Sequence, residues 1–177
     1  IPTSSNNFNE DLDAVDERFR QQATWTAAFQ QRILSPLKDQ GASVLEVGSG
    51  TGAYLRSLQT ITRSGKINWI GLDIDLERQA YAHQHSDSLL INGNGMNLPF
   101  PSGSFDLVVC HYLLLWLRQP EIVLSEIKRV TKPGGWVIAA AEPDYEGRID
   151  YPDRYMEPGR EQTHALRASG ANPKAGR

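Results

Sequence analysis

The residues from Glu46 to Gly52 combine an acid with three closely spaced glycines. They lie in the stretch SVLEVGSGTGAYL, where Gly48, Gly50 and Gly52 follow an apolar segment and precede a helix-like run. Glycine adopts backbone conformations that other residues resist, and it lets a ligand approach the main chain closely. A strand-to-helix turn also offers free backbone N–H groups and the positive end of a helix dipole. The stretch therefore predicts a binding loop for a small cofactor.

The glycine spacing does not by itself identify the ligand. Gly48, Gly50 and Ala53 satisfy the relaxed form of the fingerprint that binds the pyrophosphate of a dinucleotide. The same turn can bind another small cofactor, or it can serve packing alone. The glycine spacing alone does not distinguish these three interpretations.

A second acid, Asp73, ends the next apolar segment 25 residues after Gly48. At the end of a strand its carboxylate can accept hydrogen bonds from both hydroxyls of a ribose. The alternative is that Asp73 caps the following helix, a role that Asp75 could fill equally well. Ile74, between the two acids, offers an apolar face to a base.

Cys110 and His111 follow the apolar segment FDLVV and are candidates to face a substrate. A cysteine nucleophile needs an activated thiolate, and no base of known geometry adjoins Cys110. His111 is the better candidate for catalysis, because histidine titrates near neutral pH and can take a proton from an acceptor hydroxyl or amine. The alternative is a hydrogen-bonded structural histidine.

Three polar residues follow the last strand-like segment. Glu142, Asp144 and Tyr145 lie in EPDYEGRIDYPD. Carboxylates there could bind a cationic acceptor or remove a proton, and the alternative is a solvated loop.

Alternating strand-like and helix-like segments position these residues. The strands are predicted at VLEVG, INWIGLD, SLLING, FDLVVC (105–110) and WVIAAAE (136–142). Helix-like runs between them predict a doubly wound, mostly parallel α/β sheet with helices on both faces. Ligands bind at the carboxyl ends of the strands in such sheets, where the glycines and acids lie. Residues 10–34 predict two helical pieces or one bent helix.

Composition excludes several classes of function. The chain has 177 residues, 40% of them hydrophobic, which suits one globular domain. A net charge of −3 gives no reason to expect nucleic acid, and the longest apolar run is shorter than the about 20 residues of a membrane span. His83 and His85 are two apart on a helix and make a poor metal pair, so no metal is predicted. The single cysteine is compatible with a reducing compartment, and we predict a cytoplasmic protein.

Four segments together form a pattern that is much more specific than any one of them. They are VLEVGSGTG at 44–52, GLDID at 71–75, GNGMNLPFPSGSFDLVVC at 93–110 and EIKRVTKPGG at 126–135. In this order they resemble the class I S-adenosylmethionine-dependent methyltransferases, especially the small-molecule group typified by enzymes of ubiquinone and menaquinone biosynthesis. The resemblance implies a Rossmann-like core at 39–145, an N-terminal helical cap at 1–38 and a helical C-terminal segment at 146–177.

The resemblance implies roles around the glycine loop. Gly48, Ser49 and Gly50 would hold the methionine portion of S-adenosylmethionine, and Glu46 would help to orient its amino end. Cys110 ends the strand whose backbone carbonyls hold the same amino group in this family.

The resemblance also implies a site for the adenosine. Asp73 would bind the ribose hydroxyls and Ile74 would pack on adenine. The family usually has an aspartate at the adenine amino group, where this chain has Asn94, followed by Gly95 and Met96. An asparagine carbonyl can accept the same hydrogen bond without charge assistance, so modestly weaker binding is expected.

An N-terminal helix often covers the cofactor in this family. Arg18, Gln22 and Trp25 share one helix face here. Arg18 or Trp25 is therefore a candidate contact with the cofactor, and a tryptophan packed in the core is the equal alternative.

The predicted activity is methyl transfer from S-adenosylmethionine to a small-molecule O, N or C nucleophile by in-line displacement. Orientation of the reactants can supply about 7–11 kcal/mol of barrier reduction without a strong acid or base. Two alternatives are an NAD(P)-dependent oxidoreductase, which Glu46 and the 93–110 segment disfavour, and a non-catalytic S-adenosylmethionine-binding module.

The sheet of this family normally continues into two further strands, an antiparallel hairpin beside the fifth strand. The chain offers no candidate for this hairpin after WVIAAAE. We therefore expect an apolar edge strand, which favours association, and interpret the chain as a truncated portion of a longer enzyme.

Overall fold

The computed structural model describes residues 11–37, 39, 41–62 and 65–176. Residues 1–10 and 38 of the predicted cap lie outside the described residues. The strands are β1 Ser43–Val47, β2 Asn68–Asp73, β3 Leu89–Asn92, β4 Phe105–His111 and β5 Thr131–Ala140. The helices are α1 Leu12–Thr24, α2 Ala27–Leu34, α3 Ala53–Thr62, α4 Leu76–His85, α5 Pro120–Val130 and α6 Met156–Ala168, with 3-10 turns at Leu114–Trp116 and Asp153–Tyr155.

The five strands form one parallel sheet in the order β3-β2-β1-β4-β5. The chain moves outward from β1 through β2 to β3 and then crosses back to β4 on the other side. The strand order therefore reverses between β1 and β4, and ligands bind in the crevice outside the carboxyl ends of strands at such a point. The predicted Rossmann-like sheet is confirmed.

Apolar side chains alternate along the central strands and build a core on each face of the sheet. Val44 and Leu107 pack with α1 to α4 on one face, while Leu45 and Val108 pack with α5 on the other. Helices thus cover both faces, as predicted.

The N-terminal helical region forms two helices rather than one bent helix. The side chain of Asp11 caps α1 by accepting hydrogen bonds from the amides of Asp13 and Ala14. The helix ends at Thr24, and α2 begins at Ala27 and packs on α3.

The fifth strand begins earlier than the sequence predicts, at Thr131 instead of Trp136. Phe105 pairs with Thr131 and Leu107 pairs with Trp136, so the residues between them on β5 form a bulge. Gly134 in this bulge has a φ of 79°, which glycine tolerates. The segment KPGG therefore lies inside an irregular strand instead of forming a separate turn.

β5 lies at the edge of the sheet, and no strand follows it in the described part of the chain. Two of its large apolar side chains are exposed, Trp136 at 58% and Val137 at 46%. The predicted bare edge is therefore present.

The described C-terminal residues return to the carboxyl ends of the strands. The amide of Asn172 donates to the carbonyl oxygen of Leu115, and the amide of Tyr145 donates to that of Pro173. Within the described ranges, no helix combines the length and the apolar character needed to cross a bilayer.

Candidate functional site

The glycine loop lies at the switch point, between the end of β1 and the start of α3. Gly48, Gly50 and Gly52 have φ values of 79°, 50° and 76°, which side chains rarely adopt. A Cβ atom at Gly48 would lie 2.8 Å from Cδ1 of Leu113. Both the backbone angles and the available space require glycine at this position.

The first three amides of the loop already have partners inside the protein. The amides of Gly48 and Ser49 donate to the carbonyl oxygen of Leu72 at 2.8 and 3.1 Å. The amide of Gly50 donates to Oδ2 of Asp73 at 2.7 Å. These three donors are not free to cradle a phosphate, although the loop has the glycine spacing of a phosphate site.

Ser49 directs its hydroxyl away from the outer surface of the loop. Its Oγ accepts a hydrogen bond from Nε2 of Gln79 on α4 at 2.9 Å, and both residues are buried. The same Oγ would lie 2.9 Å from a Cβ atom at Gly71 on β2, and Cδ2 of Leu90 would lie 2.8 Å from it. The Ser49 hydroxyl is thus engaged inside the protein, and the cofactor role of Ser49 stays a prediction.

Glu46 is fully enclosed by the sheet and α3, with 1% of its surface exposed. Its Oε2 has no hydrogen-bond partner. Burial raises the pKa of Glu46 well above its ordinary value and nearby Asp73 raises it further, while the Leu55 amide and Arg56 lower it. A buried carboxylate oxygen without a partner is costly, and a cationic ligand group would satisfy it.

Asp73 does not cap α4, because Asp75 takes that role with the amides of Glu77 and Arg78. Oδ1 of Asp73 accepts from the amide of Asp75 at 2.9 Å. With the Gly50 bond on the other oxygen, each carboxylate oxygen retains lone pairs for further donors. Burial raises the pKa of Asp73, and the two backbone bonds oppose this.

The loop after β3 is fastened to the end of β2. Nδ2 of Asn92 donates to the carbonyl oxygens of Asp73 and Ile74, both at 3.1 Å. The side chains of Ile74 and Met96 remain exposed, at 45% and 39%. Sequence reasoning missed Asn92, whose position at a strand end was its only signal.

Asn94 uses its side-chain oxygen within its own turn. Oδ1 accepts a hydrogen bond from the amide of Met96 at 2.9 Å. Gly95 packs against β1, since a Cβ atom there would lie 3.1 Å from Cγ1 of Val47. The Asn94 oxygen therefore has one remaining lone pair for a ligand.

Cys110 is buried and protonated. Its thiol lies 3.8 Å from Oε1 of Glu142, and burial, followed by the charge of Glu142, raises its pKa. A nucleophilic thiolate is not available in this environment.

His111 stacks on Tyr54 with ring centroids 4.1 Å apart and the planes at 9°. It is buried, and its Nε2 has no hydrogen-bond partner. Burial lowers its pKa from 6.5 to about 4. His111 is therefore neutral at pH 7, a weak base with one ring nitrogen free to bond a ligand.

Glu142 is an anchor and does not lie in a solvated loop. Its carboxylate accepts hydrogen bonds from the amides of Leu113 and Leu114 at 2.8 and 3.0 Å. The neighbouring residues Tyr112 and Ala141 both have a φ of 53°, which costs energy in residues other than glycine. The strand ends at β4 and β5 are thus held in an uncommon backbone conformation.

The other two predicted acceptor residues lie farther along the same segment. Oδ1 of Asp144 accepts hydrogen bonds from the amides of Glu146 and Gly147 in a turn. Tyr145 lines a cleft of about 970 Å³ between residues 145–150 and α6.

α1 covers the glycine loop with a residue that sequence reasoning missed. Cε2 of Phe19 lies 3.4 Å from the position of a Cβ atom at Gly50. The guanidinium of Arg18 lies 5.7 Å from the centre of the Phe19 ring. Trp25 is 65% exposed, so it does not pack in the core.

The described residues contain no cluster of three or more histidine, cysteine or acidic side chains suited to a metal ion. The site brings together the glycine loop, the buried Glu46 carboxyl with one unpaired oxygen, the carboxylate of Asp73 at the end of β2 and the neutral His111.

Comparisons with known proteins give one consistent result. The family described as "Methyltransferase domain" matches residues 45–139. Demethylmenaquinone methyltransferase of Bacillus licheniformis is 34% identical over 136 residues, which are 73% of this chain and 56% of the relative. Phosphatidylethanolamine N-methyltransferase of Cereibacter sphaeroides is 30% identical over 142 residues, 72% of this chain and 68% of the relative.

The structural comparison extends the likeness in fold over most of the chain. A solved methyltransferase from Thermotoga maritima, described as a possible histamine N-methyltransferase, has a TM-score of 0.61 and 20% identity over 92% of this chain and 70% of its own. At this identity the likeness concerns the fold alone. The chain spans about half the length of the first curated relatives that it matches.

Proposed function

The chain belongs to the class I S-adenosylmethionine-dependent methyltransferase family, and we propose that it transfers a methyl group from S-adenosylmethionine to a small-molecule O, N or C nucleophile. We further propose that the chain has three parts: an N-terminal cap at 1–38, a cofactor-binding core at 39–145 and a C-terminal segment at 146–177.

The unpaired oxygen of Glu46 carries the proposal. A buried carboxyl oxygen without a partner needs a cation or a donor, and the amino group of the methionine portion supplies both. The amides of Gly48, Ser49 and Gly50 are committed inside the protein. This combination favours an amino-acid tail over the pyrophosphate of NAD(P).

The residues at the ends of β2 and β3 suit the adenosine. Asp73 would accept the ribose hydroxyls through its remaining lone pairs. Ile74 and Met96 would give adenine two apolar contacts, with Asn94 and Gly95 at its edge. The Cys110 backbone would lie beside the same amino group as Glu46.

When bound, S-adenosylmethionine supplies a methyl group on a sulfonium, an electrophile that needs no metal. The protein's part is to align the acceptor with that methyl group, which is worth about 7–11 kcal/mol of barrier reduction. His111 would orient the acceptor through its free Nε2. With a pKa of about 4, it is better suited to a hydrogen bond than to removing a proton.

The acceptor is proposed as a small molecule, and the names of two relatives suggest which acceptors to test first. Demethylmenaquinone and phosphatidylethanolamine both combine a polar reacting group with long apolar chains. A methylated product formed from either, with S-adenosylhomocysteine released, would identify the acceptor class.

Calorimetric titration tests the cofactor assignment directly. We expect the chain to bind S-adenosylhomocysteine and not NAD. At about 100 times its dissociation constant, the ligand should add roughly 2.7 kcal/mol to the free energy of unfolding. Binding of NAD alone would contradict the proposal, and binding of S-adenosylhomocysteine without turnover of any acceptor would favour a non-catalytic binding module.

A further inference from the structure

A buried ion pair joins α1 to the helix that follows the glycine loop. Asp16 on α1 is buried, and its Oδ1 accepts a hydrogen bond from Nη2 of Arg56 on α3 at 2.6 Å. Nη1 of the same guanidinium donates to the carbonyl oxygen of Thr51 at 2.7 Å. One arginine therefore links α1, α3 and the glycine loop.

Two more contacts hold α1 across this loop. Phe19 packs on Gly50, as described above. The hydroxyl of Tyr81 on α4 donates to Oδ1 of Asp13 at 2.8 Å. The Asp16–Arg56 pair is the least exposed polar contact of this set, with Asp16 buried and Arg56 partly buried, so solvent screens it least.

The charge of Arg56 also acts on Glu46. Burial and Asp73 raise the pKa of Glu46, whereas the Leu55 amide and the Arg56 guanidinium lower it. Four charged or titratable groups interact electrostatically with Glu46. They are Asp73 on β2, Tyr54 and Arg56 on α3, and Cys110 on β4. Arg56 is the cation in this set.

We propose that Arg56 is a positioning residue of the cofactor site: its hydrogen bonds to Asp16 and Thr51 hold α1 against the glycine loop, beside the Glu46 carboxyl that receives the amino group of the cofactor. The inference rests on the proposed function, because it requires that Glu46 receives a cation. It assigns Arg56 an effect on binding that a purely structural ion pair would not have.

Removal of either partner from a buried ion pair destabilises a protein, so loss of stability alone cannot test the proposal. The two partners differ in their relation to Glu46. Asp16→Asn breaks the pair but leaves the positive charge in place, whereas Arg56→Met removes the charge, the pair and the bond to Thr51.

The test measures S-adenosylhomocysteine affinity by calorimetry from mildly acidic to mildly alkaline pH. Arg56→Met should weaken binding roughly 2–30-fold, the range for a substitution that alters binding without contacting the ligand. The pH at which this variant begins to bind tightly should also be higher than in the wild type, because Glu46 ionises at higher pH without the nearby cation. Asp16→Asn should weaken binding less and leave this pH dependence unshifted.

The exchanged pair Asp16→Arg with Arg56→Asp separates stability from binding. It restores opposite charges on α1 and α3, although Arg20, which pairs with Asp16 in the wild type, then faces a like charge. It also places an acid near Glu46 and removes the donor to Thr51. We expect the melting temperature to recover relative to Arg56→Met while affinity stays weak. Recovery of affinity together with stability, or equal losses in Arg56→Met and Asp16→Asn with unchanged pH dependence, would overturn the proposal.

Arg56→Lys keeps the test decisive if Arg56→Met fails to fold. An ammonium retains the charge but cannot reproduce the fork that bonds Asp16 and Thr51 together. Weaker binding with an unshifted pH dependence is expected, and wild-type affinity would overturn the proposal. No binding by the wild-type chain at any pH would contradict the proposed function itself, whereas wild-type binding that ignores Arg56 overturns this inference alone.

Discussion

At the scale of single residues, Glu46 and His111 present two buried polar atoms without partners on the same face of the sheet. Oε2 of Glu46 and Nε2 of His111 both lie in the protein interior, where an unsatisfied polar group costs about 1–3 kcal/mol. Such groups in native proteins often mark functional sites, because a ligand supplies the missing partner. The pKa directions of the two residues allow separate tests.

Glu46→Gln should stabilise the ligand-free protein and weaken cofactor binding. The folded-state pKa of Glu46 is raised above its ordinary value. The folded protein therefore binds more protons between the two values, and stability falls as pH rises through that interval. Glutamine carries no charge to bury, so the melting temperature of the free variant should exceed that of the wild type at neutral pH. Affinity for S-adenosylhomocysteine should fall at least about tenfold.

Melting curves with and without S-adenosylhomocysteine measure both effects. Glu121→Gln, on the exposed first turn of α5, is the matched control and should change neither quantity. A Glu46→Gln variant that keeps the full ligand-induced rise in melting temperature would contradict the assignment of Glu46 to the amino group.

His111→Phe should flatten the acid side of the stability profile. The pKa of His111 falls from 6.5 to about 4 on folding, so the unfolded state binds more protons in that interval. Stability is full above pH 6.5 and decreases as pH falls to about 4, by up to about 3 kcal/mol from this residue.

Phenylalanine preserves the stacking on Tyr54 and cannot be protonated. Denaturant unfolding across this pH interval should show a smaller loss of stability for His111→Phe than for the wild type. Parallel curves for the two proteins would mean that His111 does not titrate as a buried group.

At the scale of elements, the carboxylate of Glu142 holds the start of the Leu114–Trp116 turn next to the site. Because it bonds two backbone amides from a segment 28 and 29 residues away in sequence, it connects the ends of β4 and β5. Leu113 in this segment also packs on Gly48 of the glycine loop. The anchor therefore supports the binding loop indirectly.

Glu142→Ala should lower the free energy of unfolding by about 1–3 kcal/mol, because two partly buried amides lose their acceptor. Amide hydrogen exchange at Leu113 and Leu114 should accelerate in the same variant. Glu161→Ala, on the exposed face of α6, should stay within about 0.5 kcal/mol of the wild type. Unchanged exchange in Glu142→Ala would show that the segment does not depend on this carboxylate.

The elements themselves were largely predictable because their signals are local. Apolar runs and helix-like spacing predicted five strands in the correct order along the chain. Asp75 was recognisable as a helix cap because it directly precedes α4. The start of β5 was missed, since a proline and two glycines in KPGG usually end a strand instead of forming a bulge within it. Contacts between distant segments, such as Asp16 with Arg56 or Ser49 with Gln79, leave no local pattern and required the structure.

At the scale of the whole molecule, helices cover both faces of the sheet, and among the described residues no strand pairs with the outer edge of β5. Trp136 and Val137 point to opposite faces of this edge strand and both remain exposed. An exposed apolar edge offers unpaired backbone groups to another chain. The family resemblance was informative here, because it indicated which part of the sheet would lack a neighbour.

Trp136→Lys should reduce self-association of this chain. We expect sedimentation of the wild type to show larger species as concentration rises, and the lysine variant to show fewer, since a charge on an edge strand opposes strand pairing. Leu76→Lys, which replaces an exposed apolar residue of α4 away from the edge, is the control and should behave as the wild type does. Equal association of both variants would place the contact elsewhere.

Glu46, Asp73 and the glycines were predictable as neighbours at the switch point, because Glu46 lies near the end of β1, Gly48 follows that strand, and Asp73 ends β2 of the same parallel sheet. Their roles toward a cofactor stay predictions. The direction of a side chain was not predictable in the same way: the Ser49 hydroxyl faces Gln79, and Glu142 bonds to backbone amides. Phe19, which packs on the loop, is an ordinary apolar position of a helix until the fold brings it there.

The crowded space above Gly71 has a consequence for how this sequence can change over time. Gly71 has an ordinary strand backbone, and the atoms nearest to an added Cβ belong to Leu90 and to both Oγ and Cβ of Ser49. An alanine at 71 needs Leu90 to shorten and Ser49 to lose its side chain, and that last change removes the partner of Gln79. Positions 49, 71, 79 and 90 should therefore vary as a group among descendants of this protein, with the order of the mutations deciding which paths stay open.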